Sequence, residues 1–138
     1  MKRHGLYLFL FLLILTACQQ NDPTQALPSE VATLTHPAAS PSGQYKLLVV
    51  RGENEGSQGL AFQVQDASGK LIYSPPDQFS TRGKTYFLWD AQDRVWVYAG
   101  QQGLFFWQKE GDSWVKYDSA KSSVAIPSFI KQAVPVQH

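Results

Sequence analysis

Between Gly43 and Gln137 the sequence has neither a cysteine nor a histidine. Histidine is the usual proton carrier of enzymes, and cysteine the strongest side-chain nucleophile and a soft metal ligand. The three histidines, His4, His36 and His138, stand outside this stretch. Cys–His nucleophiles, Ser–His–Asp triads and His/Cys metal sites therefore have no residues to be built from there. Cys18 is the one cysteine, so no disulfide can close within the chain. Charge of one sign is also missing. The chain has 12 Lys and Arg against 11 Asp and Glu; without Lys2 and Arg3 the basic count is ten. There is no basic stripe for nucleic acid and no acidic block. No glycine-rich phosphate loop precedes a helix. The longest apolar run, "GLYLFLFLLIL" (Gly5–Leu15), falls short of the ~20 residues of a comfortable membrane span.

That run still carries information. It follows a basic start, "MKRH", and leads into "LTAC", Leu15 to Cys18. The order of basic start, short apolar region, aliphatic residue, two small residues and cysteine resembles the signal peptide and lipobox of bacterial lipoproteins. The resemblance covers the first eighteen residues. It implies cleavage before Cys18 and lipidation of Cys18, with residues 1–17 as signal peptide. In such lipoproteins an aspartate after the cysteine marks inner-membrane retention; Gln19 stands here. The expected location is the cell envelope, lipid-anchored, on the outer membrane facing the periplasm. A source with one membrane would place it on the outside of that membrane.

Residues 19–42 are polar, with Pro23, Pro28, Pro37 and Pro41, and show neither helical nor strand periodicity. They read as a flexible tether after the lipidated cysteine, with a coil dimension of roughly 25–30 Å. Residues 43–138 read as the folded domain. Short runs rich in Val, Tyr, Phe and Trp alternate there with Gly, Asp, Ser and Pro clusters: "YKLLVVR", "LAFQVQ", "KLIYS", "TYFLWD", "RVWVYAG", "LFFWQK" and "SWVKY". This is the pattern of an all-β antiparallel meander of roughly seven or eight strands. "DASGK" and "KEGDSW" supply Gly69 and Gly111 for turns, and "GQQG" links the strands on either side.

The meander echoes itself. Gly59, Leu60, Phe62 and Tyr73 match Gly103, Leu104, Phe106 and Tyr117 at an offset of 44. "SPSGQYKLLVV" also aligns with "WDAQDRVWVY", and it resembles the strand entry of β-propeller blades. Two blades cannot close a propeller. The expectation is two blade-like pseudo-repeats packed as a small sandwich, or one curved sheet closed as a barrel; a ring completed by oligomerisation is a further option. "AIPSFIKQAVP" (Ala125–Pro135) is expected to form a short helical tail starting at Pro127 and packing on the sheet.

Rings crowd one stretch: Trp96, Tyr98, Phe105, Phe106 and Trp107 fall within Arg94–Lys109. If Ala99 pairs with Leu104, and Trp89 with Arg94, alternation gives two faces. Tyr86, Leu88, Val95, Val97, Ala99, Leu104 and Phe106 form a core face. Phe87, Trp89, Trp96, Tyr98, Phe105 and Trp107 form the second, with Trp114 beside it and Lys109 and Lys116 at its rim. Three things could cover that second face: the C-terminal tail, another copy of the chain, or a protein or glycan partner. The face is thus a candidate binding site. Arg82 and Lys84, in the polar loop "FSTRGKTYF", are candidate contacts for an anionic partner.

Carboxylates are the remaining chemistry. Asp90 and Asp93 flank one turn, Glu53 and Glu55 lie in the long loop, and Asp66, Asp77, Glu110, Asp112 and Asp118 lie at or near turns. Paired carboxylates can hydrolyse glycosides, and turn carboxylates can bind Ca²⁺. Aspartate is also favoured in turns for bonding nearby amides. The expected function is accordingly a non-catalytic binding module, membrane-anchored through Cys18, with no catalytic residue, metal or cofactor. Its partner would be an envelope or exported protein, and self-association is open. One form of this is an inhibitor or immunity-type protein. Small β lipoproteins that inhibit lysozyme are similar in size, location and strand content, but they carry a disulfide that this chain cannot form. The alternatives are a carboxylate-dependent glycan hydrolase and a structural subunit of an envelope complex.

Overall fold

The computed structural model describes residues 27–52 and 59–134. Cys18, the apolar run before it, and the Glu53 and Glu55 loop lie outside the described residues. Among the described residues there are ten strands: β1 Val31–Ala32, β2 Ala38–Ala39, β3 Tyr45–Arg51, β4 Gly59–Asp66, β5 Leu71–Tyr73, β6 Phe79–Ser80, β7 Thr85–Trp89, β8 Val95–Ala99, β9 Leu104–Glu110 and β10 Ser113–Asp118. A helix, α1 Ser128–Ala133, follows.

The fold is all-β, and it is a sandwich, not a closed barrel. The first sheet has the order β2-β3-β4-β5, with β6 added against the start of β4; the second has β1-β7-β8-β9-β10. Every pairing is antiparallel. Each pseudo-repeat builds one sheet: β3, β4 and β5 of the first correspond to β8, β9 and β10 of the second. Tight turns explain the meander. Gly111 carries a φ of 61° between Glu110 and Ser113, the pattern of a two-residue hairpin with positive φ at its first central position.

The segment read as tether enters the fold. Val31 and Ala32 pair with Leu88 and Phe87, and Ala38 pairs with Leu47. Two-residue strands are too short to show alternation, so periodicity could not reveal them. Their apolar side chains nevertheless fill buried positions in both layers. The folded domain therefore includes β1 and β2, which precede Gly43.

Between the sheets, Leu47, Val49, Phe62 and Val64 of the first face Phe87, Trp89, Val95, Val97 and Trp107 of the second. Phe62 meets Trp107 edge-on at 4.8 Å, a favoured ring geometry. Trp89 Nε1 donates to the Ala38 carbonyl at 2.8 Å, so one indole satisfies its polar atom across the two layers. A second core lies on the far side of the second sheet. There Ile130 of α1, with Phe129 and Val134, packs on Leu88, Trp96 and Phe106. The tail thus supplies a third layer.

Candidate functional site

The proposed aromatic face does not exist as one surface. Tyr98 pairs with Leu104 and Val97 with Phe105, where Ala99 with Leu104 was expected. Trp89 pairs with Val95, where Arg94 was expected. Both loops take up one more residue than the simplest hairpins. At one, Ala99 N–H bonds the Gly103 carbonyl, and Gly100 and Gly103 both take positive φ. At the other, the Asp90 carboxylate holds Arg94 N–H inside the turn and Asp93 takes a φ of 57°. Together the two slips move β9 by two residues against β7, which keeps those strands on a common face, and only β8 turns over. A one-residue slip exchanges the faces of a strand. Phe87, Trp89 and Trp107 are buried between the sheets, with half-buried Phe105 packed against them. Trp96 is buried on the opposite side beneath α1, and half-buried Tyr98 follows it by alternation, stacked on Tyr86. The first sheet covers most of the expected aromatic face, and the tail covers the other face, with Tyr86, Leu88, Leu104 and Phe106 of the expected core face and Trp96.

The best organised polar constellation is centred on Asp90. Its Oδ1 accepts from Gln92 N–H at 2.9 Å and Arg94 N–H at 3.0 Å. Its Oδ2 accepts from Arg94 Nη1 at 3.0 Å and Trp96 Nε1 at 2.8 Å. The Arg94 guanidinium reaches on to Gln108 and lies 6.0 Å from the Phe106 ring centroid. Phe106 stacks on Tyr117, whose hydroxyl donates to Glu110. That bond holds the Glu110 carboxyl below its ordinary value and pushes the Tyr117 phenol up. The chain of contacts runs from one turn to the next across the second sheet. With four donors on one carboxylate, Asp90 acts as a structural acceptor.

The other acids near turns behave alike. Asp66 Oδ1 accepts from Ser68 and Lys70 amides and from the Ser68 hydroxyl, which is the main reason its carboxyl is lowered. Asp93 bonds Ser42 of the neighbouring turn. Asp118 caps the following turn through Ala120 N–H. Asp77 pairs with Lys116 at 3.1 Å, and Lys116 lies 4.4 Å over Phe105 and 5.5 Å over Trp107. Lys109 rims Tyr45 at 5.9 Å. Arg82 and Lys84 are exposed on the loop after β6. That loop is braced by Arg82 N–H on the Ser80 hydroxyl, by the Thr85 hydroxyl on the Ser80 carbonyl, and by Ser80 N–H on Gln102.

Surface features lie elsewhere than sequence reasoning placed them. A cleft of about 790 Å³ opens between the tail and the Asp90 turn, lined among others by Glu30, Pro41, Gln92, Ile126 and Ser128. Among the described residues the exposed large apolar side chains divide among three places: Leu71 and Ile72 on β5, Leu27 and Leu34 near the first described residues, and Ile126 at the cleft. The outer faces of the two sheets differ. That of the second lies under α1. On the first, the partners of the buried positions alternate outward as Lys46, Leu48 and Val50 opposite Gln65, Gln63 and Ala61, and none of these is fully buried. Strand alternation could have found this face, because "LAFQVQ" already separates it from the core.

Among the described residues no group of three or more His, Cys, Asp or Glu side chains is placed to hold a metal. No helix among them is long and apolar enough to cross a membrane. Compared with known protein families, with curated proteins and with solved structures, the chain matches none.

Proposed function

We propose that the protein is a lipid-anchored envelope lipoprotein whose sandwich is a non-catalytic binding module for another envelope or exported protein. An inhibitor or immunity-type protein is the specific form this takes. The observation that carries the reading is the asymmetry of the two sheets. The second brings its own cover, α1. Among the described residues the first has no such helix on its outer face: Leu48, Val50 and Ala61 are half-buried beside Lys46, Gln63 and Gln65, Pro75 and Pro76 wall a hollow at Val50 and Ala61, and Ile72 of β5 is 38% exposed. Apolar side chains mixed with neutral amides, with the charge of Lys46 at one end, make a face of the polarity of a non-obligate protein interface. The lipobox resemblance at Leu15–Cys18 supports the envelope location. Engagement of Asp90 and Asp66 in turn hydrogen bonds favours binding over carboxylate-dependent glycan hydrolysis.

The test places a photo-crosslinking residue at Gln63 and, separately, at Ile72 in living cells. Both should capture the same exported or envelope protein, while the same residue at Lys109 should not. Leu48→Arg should then weaken binding of that purified partner by about tenfold or more without altering the fold. Capture of a second copy alone would make this face a self-association surface. No adduct at either position, with the variants folded, would overturn the reading.

A further inference from the structure

The membrane-side surface of the domain can be located. We propose that Leu27 and Leu34, with Pro28 and Pro37 between them, form a patch that rests in the interfacial layer of the bilayer and fixes the domain's orientation. This rests on the lipoprotein reading of Cys18. Leu27 is 46% exposed and Leu34 42% exposed, although both are large and apolar. Leu27 lines a shallow, mainly apolar hollow of about 430 Å³ with Pro28, Ser29, Val31, Thr33, His36 and Pro37, and Leu34 stands at the tip of the turn that Thr33 and His36 close.

Leu34 is held out rigidly. Thr33 and His36 exchange backbone hydrogen bonds of 2.9 and 3.3 Å, closing a tight turn with Leu34 inside it. The turn's polar side chains bond one another: His36 N–H to Thr33 Oγ1 at 3.1 Å, and Thr35 Oγ1 with His36 Nδ1 at 2.9 Å. The turn joins β1 of the second sheet to β2 of the first, so both layers fix its position. A leucine at the tip of a braced turn keeps much of its surface exposed, 42% here.

The length of chain leading to the patch names its occupant. Eight residues separate Cys18 from Leu27, nine Cα-to-Cα steps. Fully extended they reach about 30 Å, and as a flexible coil roughly 15–18 Å. A domain of this size has a radius of gyration near 13 Å, so the leash is about as long as the domain's own radius. The surface around Leu27 is therefore the one held at the headgroups. Thr33, Thr35, His36 and the two prolines carry no negative charge that would be repelled by an anionic lipid surface. The lipid supplies the affinity, and the two leucines supply the orientation.

The experiment uses the full lipidated chain reconstituted in phosphatidylglycerol-containing vesicles. Lipidation occupies the Cys18 sulfur, so Leu34→Cys and Leu71→Cys can each carry a single environment-sensitive fluorophore. Leu71 is the control, 48% exposed on β5. The expected result is a blue-shifted probe at position 34 that shallow spin-labelled lipids quench severalfold more than the probe at position 71. Equal quenching at the two positions in a chain that floats with the vesicles would overturn the patch and leave the anchor standing. A chain that neither floats nor carries acyl mass on Cys18 would overturn the lipoprotein reading and the patch with it.

Discussion

Trp96 donates its indole N–H to Asp90 Oδ2 at 2.8 Å, from the first turn of one strand back to the loop that precedes it. Asp90 thereby does two jobs. It closes the β7–β8 turn through the amides of Gln92 and Arg94, and it satisfies the polar atom of the largest ring in the outer core. Asp90→Ala removes all four hydrogen bonds and leaves a buried indole N–H without an acceptor. A loss of about 2–4 kcal/mol is expected in urea denaturation. Asp90→Asn keeps one acceptor oxygen for the turn amides and should lose clearly less. If both variants melt alike, the carboxylate charge on Arg94 outweighs the turn amides. A loss of any activity in Asp90→Ala is therefore to be read only after its folding has been measured.

The same turn explains what was legible in the sequence. Strand existence, the two-sheet division and the pseudo-repeat follow from alternation and spacing, because Phe62 and Val64 on β4 point inward while Gln63 and Gln65 point out. The aromatic site failed because its register assumed four-residue loops, whereas bonds from Asp90 N–H to Arg94 and from Ala99 N–H to Gly103 close three-residue turns. Those turns depend on the Asp90 side chain and on positive φ at Asp93, Gly100 and Gly103, which a hydropathy pattern does not carry. Short β1 and β2 were hidden for another reason: two residues cannot display a period. The covering helix was foreshadowed by Pro127, and its apolar residues Phe129 and Ile130 lie on the second sheet as the tail reading expected.

Two turns share one design and differ at one position. "DASGK" and "DAQDR" both place an aspartate oxygen on the amides two and four residues later. Gly69 has a φ of 90°, whereas Asp93 sits at 57°. The second value is the left-handed α conformation that aspartate tolerates; the first lies beyond it. Gly69→Asp should destabilise the domain by about 1–2 kcal/mol. Asp93→Gly relieves left-handed backbone but gives up the bonds to Ser42, so its net effect should stay within about 1 kcal/mol. Equal losses in the two variants would show that the Ser42 link, and not backbone conformation, dominates at position 93.

The third layer makes the tail a stability element. Ile130 is the one α1 side chain fully inside the outer core, against Leu88, Trp96 and Phe106. Ile130→Ala should cost about 2–4 kcal/mol. Removal of residues 126–138 should expose the outer face of the second sheet and raise binding of an apolar dye to the folded protein. A truncated chain as stable as the full one, with no dye binding, would show that β1 and the residues around Tyr86 and Tyr117 suffice to close that face.

The Tyr117–Glu110 bond predicts opposite pH dependences for its two partners. Glu110 has its carboxyl lowered, chiefly by the Tyr117 hydroxyl and then by Gln108. A lowered acid contributes stability that is present above its unfolded pKa of about 4.3 and lost as pH falls through the folded value. Tyr117 is raised, chiefly by Glu110. Its contribution is fully present below an unfolded value of about 10 and is lost as pH rises through the higher folded one. Both groups face solvent, so added salt should weaken the charge part of each effect. Tyr117→Phe should therefore flatten the stability curve on both limbs relative to the parent protein, measured by urea denaturation across pH. Glu110→Gln should flatten the acid limb fully and the alkaline limb in part, because a neutral amide still accepts the phenol proton. An unchanged acid limb in Tyr117→Phe would assign the lowering of Glu110 to Gln108 instead, whose amide donates to the same oxygen at 2.7 Å.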